Sequence, residues 1–160
     1  MIYSAGIEAL SKAWFASTHS RTHGTYISKE RFNELLDTLL REAQTRLHSE
    51  PYGERIFRRM SNAYNMGSHE RAENLFSEIG IRLGDTEEAA RRARNLPAHG
   101  KRLKRDEELL EFTIHRFAYK VLFERVFLRL LGYSGQYRDR TSLGHPLRDL
   151  AEPASGQQQL

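Results

Sequence analysis

Apolar positions along the chain recur at steps of three and four residues, and no segment sustains alternation at steps of two. Ile2/Tyr3, Gly6/Ile7, Leu10 and Trp14 set this spacing from the first residues, which predicts a helix opening the chain. Residues 18–26 are polar, with His19, His23 and Gly24, and read as a loop. Ser28 then offers an N-cap, and Phe32, Leu35, Leu36, Leu39, Leu40, Ala43 and Leu47 form one stripe to about His48. Pro51 is placed for the first turn of a third helix carrying Ile56, Phe57, Met60, Ala63 and Tyr64. A fourth opens at Ser68, carries Ala72, Leu75, Phe76 and Ile79, and is closed by Gly80 and Gly84. Asp85-Thr86-Glu87-Glu88 has the D-x-x-E form of a capping box and starts a short helix through Ala93. Pro97 and Gly100 break the chain before the longest pattern, from about Asp106 to Leu131, which Gly132 stops.

The long last helix carries two apolar stripes. At 100° per residue, Leu110, Ile114, Phe117, Val121 and Leu128 fall on one side. Phe112, Tyr119, Phe123, Val126 and Leu130 fall roughly opposite, with Glu111, Arg125 and Arg129 between them. A surface helix needs one stripe, so two imply burial on two sides: either a central helix within one bundle, or a homodimer through the second stripe. The expected fold is an all-α multi-helix bundle over residues 1–133. Residues 134–160, rich in Gly, Ser, Gln, Arg and Pro, read as a loosely structured C-terminal extension.

Composition narrows the partners. The chain has 160 residues, 29% charged and 39% hydrophobic, with mean hydropathy −0.67, enough apolar material for a core. Net charge is only +4, but Arg outnumbers Lys 20 to 5. Arg forks onto phosphate oxygens, so the bias leans towards polyanions. There is no Cys, which excludes thiol nucleophiles and Cys-based metal sites. No apolar run is long enough to cross a membrane, and Glu8 and Lys12 interrupt the apolar start, so neither a membrane partner nor a signal peptide is expected. A cytoplasmic location follows. A chain that begins inside a helical pattern is also what a domain cut from a larger parent chain would show.

The densest charge feature is Ala89 to Arg105, with Arg91, Arg92, Arg94, Lys101, Arg102, Lys104 and Arg105 and no acid. It is centred on the break between the short fifth helix and the long sixth. Five Arg–His pairs share a similar spacing: Arg41/His48, Arg92/His99, Arg94/His99, Arg138/His145 and Arg140/His145. The first lies inside one helix pattern and the last two in the extension. Only the His99 pairs sit at a helix–helix break among flanking cations.

Arg94-Asn95-x-x-x-His99, ahead of a long last helix, resembles the R-N-x-x-x-H motif of the HEPN superfamily. The likeness is greatest to the C-terminal HEPN domain of ApeA-type phage-defence proteins. The resemblance implies a homodimeric, metal-independent endoribonuclease in antiviral defence or toxin–antitoxin systems, with no cofactor. Arg94 and His99 are then catalytic, Asn95 supports them, and two pairs share one cleft across the dimer. Arg91, Arg92, Lys101, Arg102, Lys104 and Arg105 would draw in the RNA backbone. The partners the resemblance implies are RNA, a second copy of the chain, and a larger parent chain or an antitoxin. Alternatives are a non-catalytic HEPN-like module that binds nucleotide or protein, and an unrelated basic helical regulator that binds nucleic acid.

Other groups carry less. His19, His23, His48, His69 and His115 form no ligand pattern. Glu87/Glu88 and Glu107/Glu108 read as first-turn acids facing helix dipoles. Trp14 and Tyr3 read as core, while Tyr133 and Tyr137 could stack on bases.

Overall fold

A computed structural model describes residues 2–17, 24–93 and 106–155. Among them the fold is all-α, a bundle of six helices with one small β-hairpin: α1 Ile2–Ala16, α2 Lys29–Leu47, α3 Gly53–Ser61, α4 Ser68–Glu78, α5 Asp85–Ala93, α6 Asp106–Leu130, β1 Gln136–Arg138 and β2 Leu147–Asp149. The chain divides into two compact units, one of residues 12–71 and one of residues 1–11 with 72–160.

In the 12–71 unit, α2 begins where its capping residue dictates. Ser28 is extended (φ −64°, ψ 153°) and its hydroxyl accepts from Arg31 N at 3.2 Å. Three exposed ion pairs, Arg31–Glu34, Asp37–Arg41 and Glu42–Arg46, line the outside of α2, each worth only a few tenths of a kcal/mol. Phe32 is buried, its ring 5.4 Å from that of Tyr64. The third helix is shorter than its apolar pattern predicts. It starts after Pro51, at Gly53, because Tyr52 takes a left-handed conformation (φ 65°). It ends at Ser61, where Asn62 Nδ2 donates to Arg58 O at 2.7 Å. Ala63 and Tyr64 lie beyond it, since this stretch bonds the chain before α2. Tyr26 N donates to Tyr64 O and Met66 N to Gly24 O, at 2.9 and 3.0 Å.

In the other unit, α4 and α6 stop as their glycines require. Gly80 (φ 72°) lets Ile81 N reach Phe76 O at 2.8 Å, and Gly132 (φ 80°) lets Tyr133 N reach Leu128 O at 3.0 Å. Both are left-handed helix endings in which the glycine avoids the Cβ clash. The first half of α1 lies on α6, with Ile7 buried and the Tyr3 and Phe123 rings 6.0 Å apart.

The two stripes of α6 are the flanks of one wide buried arc rather than two separate faces. Its centre is Ala118, Val121, Leu122, Arg125 and Val126, each no more than 1% exposed. Phe123 on one flank meets Tyr3 of α1. On the other, Val121 packs with Tyr137, Leu150 and Ala154, and Leu128 joins them. The apolar pattern concealed this because the arc is centred on an arginine, which the sequence assigns to the polar boundary.

The extension expected to be loosely structured is, as far as residue 155, folded onto α6. β1 and β2 pair antiparallel, with Tyr137 opposite Arg148, and Tyr137, Asp139, Leu150 and Ala154 are buried. Asp139 holds the turn between the strands. Its carboxylate accepts from Thr141 N and Ser155 N at 2.9 and 3.0 Å, and from Arg148 Nε at 2.9 Å. It also accepts from Thr141 Oγ1 at 2.5 Å and Ser142 Oγ at 3.1 Å. Burial pushes its pKa up, but these donors outweigh burial and hold it below the ordinary carboxylate value.

Candidate functional site

Arg94, Asn95, His99, Lys101, Arg102, Lys104 and Arg105 lie outside the described residues. What is described is the frame on either side: α5, which ends at Ala93, and α6, which begins at Asp106.

One buried ion pair joins the start of α5 to the C-terminal part of α6. Arg125 Nη1 donates to Glu87 Oε1 at 2.5 Å, and both side chains are fully buried. The rest of the guanidinium is also satisfied. Nε donates to Leu150 O at 3.1 Å, and Nη2 donates to Arg82 O at 3.0 Å and Ala151 O at 3.3 Å. Tyr137 lies beneath it, the guanidinium carbon 5.2 Å from the ring centre, a favourable cation–π placement. One arginine therefore ties together α5, the α4–α5 connection and the chain after β2. Arg129 Nε adds a bond to Ile79 O at 2.8 Å. Because Ile79 meets Arg129 while Arg82 and Glu87 meet Arg125, α5 runs antiparallel to α6 and points the Ala93 end towards the middle of that helix.

Glu87 is thus a first-turn acid of α5, but a buried one paired with Arg125. The capping box is also shifted by one residue. Gly84 N donates to Glu87 Oε2 at 3.0 Å, while Glu88 accepts from Arg92 instead. Burial raises the Glu87 pKa, with Arg125 and the Gly84 N–H opposing it. Burial likewise pushes the Tyr137 hydroxyl well above its ordinary value. That hydroxyl donates to Glu152 O at 3.1 Å; the residue is buried with the Arg125 guanidinium over its ring, so Tyr137 has no ring face to offer a base. Tyr133 is exposed.

Of the cations expected to meet RNA, two are described, and they differ. The Arg91 side chain is only 12% exposed, beside Glu73 at 3.6 Å and over the Phe76 ring at 5.4 Å. It is committed to α4 and is not open to a phosphate. Arg92 is 82% exposed and pairs with Glu88 one turn back at 2.9 Å, a weak surface pair that leaves it accessible.

A second Arg–His pair is brought together with α6. Arg140 and His145, which the sequence leaves in the extension, line a groove of about 220 Å³ whose floor is Leu110, Ile114 and Phe117. The only sequence signal for it was the spacing, which five pairs share.

Among the described residues no three His, Asp or Glu cluster as a metal site, and no helix is long and apolar enough to cross a membrane. Comparison with protein-family models, with curated proteins and with solved structures returns no match.

Proposed function

We propose that this chain is a metal-independent endoribonuclease of the HEPN type, acting as a homodimer in phage defence or toxin-like growth arrest. The observation that carries the reading is the position of Arg94-Asn95-x-x-x-His99 in the sequence. The motif begins at the residue after α5 and falls within the segment leading to the long last helix. Support comes from the Glu87–Arg125 pair, which holds the start of α5 against the C-terminal part of α6, so that the two helices flanking the motif pack on one another.

The chemistry follows from the groups. Cleaving RNA through its own 2′-OH requires a base for that hydroxyl and stabilisation of charge on the phosphorus-centred transition state. An imidazole near its ordinary pKa of about 6.5 can take or return the proton. A guanidinium can fork onto the non-bridging oxygens. Asn95 can hydrogen-bond a phosphate or hold His99 in one tautomer. The product is a 2′,3′-cyclic phosphate. One such pair is a sparse apparatus, and a second copy would add another pair to the same cleft.

The test is cleavage of single-stranded RNA with EDTA present. His99→Ala and Arg94→Ala should each lower the rate by about 10²-fold or more, with single-stranded DNA untouched by any of the proteins. Equal RNA cleavage by wild type and His99→Ala would refute the assignment.

A further inference from the structure

We propose that the groove between α6 and the 140–145 turn is a nucleotide-binding site. It takes one base of a single strand against Leu110, Ile114 and Phe117, and the adjoining phosphate on Arg140 and His145. The site deepens the nuclease reading, on which it rests for RNA as the strand, by giving that strand a second point of attachment.

Three observations carry the inference. The first is charge. Arg140 and His145 both line the groove, no acid does, and among the described residues neither side chain has a hydrogen-bond or ion-pair partner. The other polar side chains of the turn are spoken for, since Thr141 and Ser142 both donate to buried Asp139. An anion with oxygens to bridge an arginine and a histidine is the complementary ligand.

The second is shape. The groove holds about 220 Å³, room for a ring-sized group. Its floor is apolar and includes the Phe117 ring, 41% exposed, with Leu143, 78% exposed, on the rim. Every base has a flat apolar face, and stacking on an aromatic ring is sequence-tolerant. A bound helix would need anchors over two turns, more than this groove supplies.

The third is rigidity. Gly144 and His145 are consecutively left-handed, at φ 74° and 48°. A non-glycine residue held so is strained, and such strain persists where the surroundings over-determine it. Here Asp139 does so, fixing the turn that presents both side chains.

Full-length protein and its His99→Ala variant are titrated with a fluorescein-labelled single-stranded DNA pentamer, which lacks the 2′-OH and reports binding alone. Phe117→Ala and Arg140→Ala alter exposed side chains, and unchanged circular dichroism melts confirm that each folds. Each should weaken binding about tenfold or more, while Phe117→Trp retains it. Arg140→Ala should also flatten the dependence of log affinity on log salt by about 0.7, one phosphate contact to a single strand. Three results would overturn the site: no binding at millimolar protein, wild-type affinity in both alanine variants, or displacement of the pentamer by an acidic peptide with no response to a mononucleotide. If Phe117→Ala changes nothing while His99→Ala abolishes RNA cleavage, the groove falls and the nuclease stands. If binding depends on the groove but the protein cleaves no RNA, the groove stands and the nuclease falls.

Discussion

Replacing Arg125 by Met tests the claim that one buried guanidinium holds the frame together. The substitution keeps most of the side-chain volume and removes every donor. Glu87 is then a buried carboxylate without its partner, and Leu150 O, Arg82 O and Ala151 O each lose a donor. Removing one member of a buried pair costs about 3–5 kcal/mol, chiefly through the charge left behind. For a chain of this size a kcal/mol moves Tm by about 2–4 °C, so Tm should fall by about 6–20 °C. The partner substitution decides the cause. Glu87→Leu in the Arg125→Met background removes the stranded charge and should recover part of the loss, so the two effects are sub-additive by about 1 kcal/mol or more. The assay is urea unfolding followed by circular dichroism, comparing midpoints and slopes for wild type, both single variants and the double. If Arg125→Met stays within about 1 kcal/mol of wild type, or the losses are strictly additive, the guanidinium does not hold the frame.

Two further outcomes follow from groups already described. Asp139 has a pKa below the ordinary carboxylate value of about 3.9, so at falling pH the unfolded chain takes up the proton first. Its stabilisation is complete above about pH 4 and is lost as pH falls through the lowered value. The stability gap between wild type and Asp139→Asn, from urea midpoints between about pH 2 and 7, should therefore be largest near neutrality and shrink in acid; a gap that widens in acid contradicts the assignment. Gly132 has φ 80° and open space around a would-be Cβ, so Gly132→Ala should cost only the backbone term, about 1–2 kcal/mol. A loss above about 3 kcal/mol in the same unfolding assay would mean that packing adds to the backbone term.

What the sequence made legible was local. Ser28, Gly80 and Gly132 act through the chain within a few residues of themselves, and the start of α2 and the ends of α4 and α6 follow from them. The hairpin was not legible, because three-residue strands are too short to show alternation. They are held by contacts from Val121 and by the donors gathered on Asp139, which no window of sequence contains. The burial of Arg125 is hidden from the sequence for a related reason. An arginine within a helix reads as surface until its acid partner is found, and Glu87 belongs to another helix. For the candidate site, the helices on either side were legible, as was the proximity of a basic run to the start of α6. That Arg91 turns inward onto Phe76 was not, since its neighbours in sequence give no sign of which cation meets α4. Nor was the Arg140/His145 groove, whose floor is supplied by α6.

The division into units has a consequence for how the chain reaches its native state. Residues 12–71 are continuous in sequence, so the contacts within that unit close over shorter loops. The other unit joins the two ends of the chain, so the Tyr3–Phe123 contact forms only after a loop spanning most of the sequence has closed. Closure entropy grows only as the logarithm of loop length, so the cost in stability is modest. The cost falls on rate, because non-local contacts slow folding. During synthesis Tyr3 must wait without its Phe123 contact until α6 has been made.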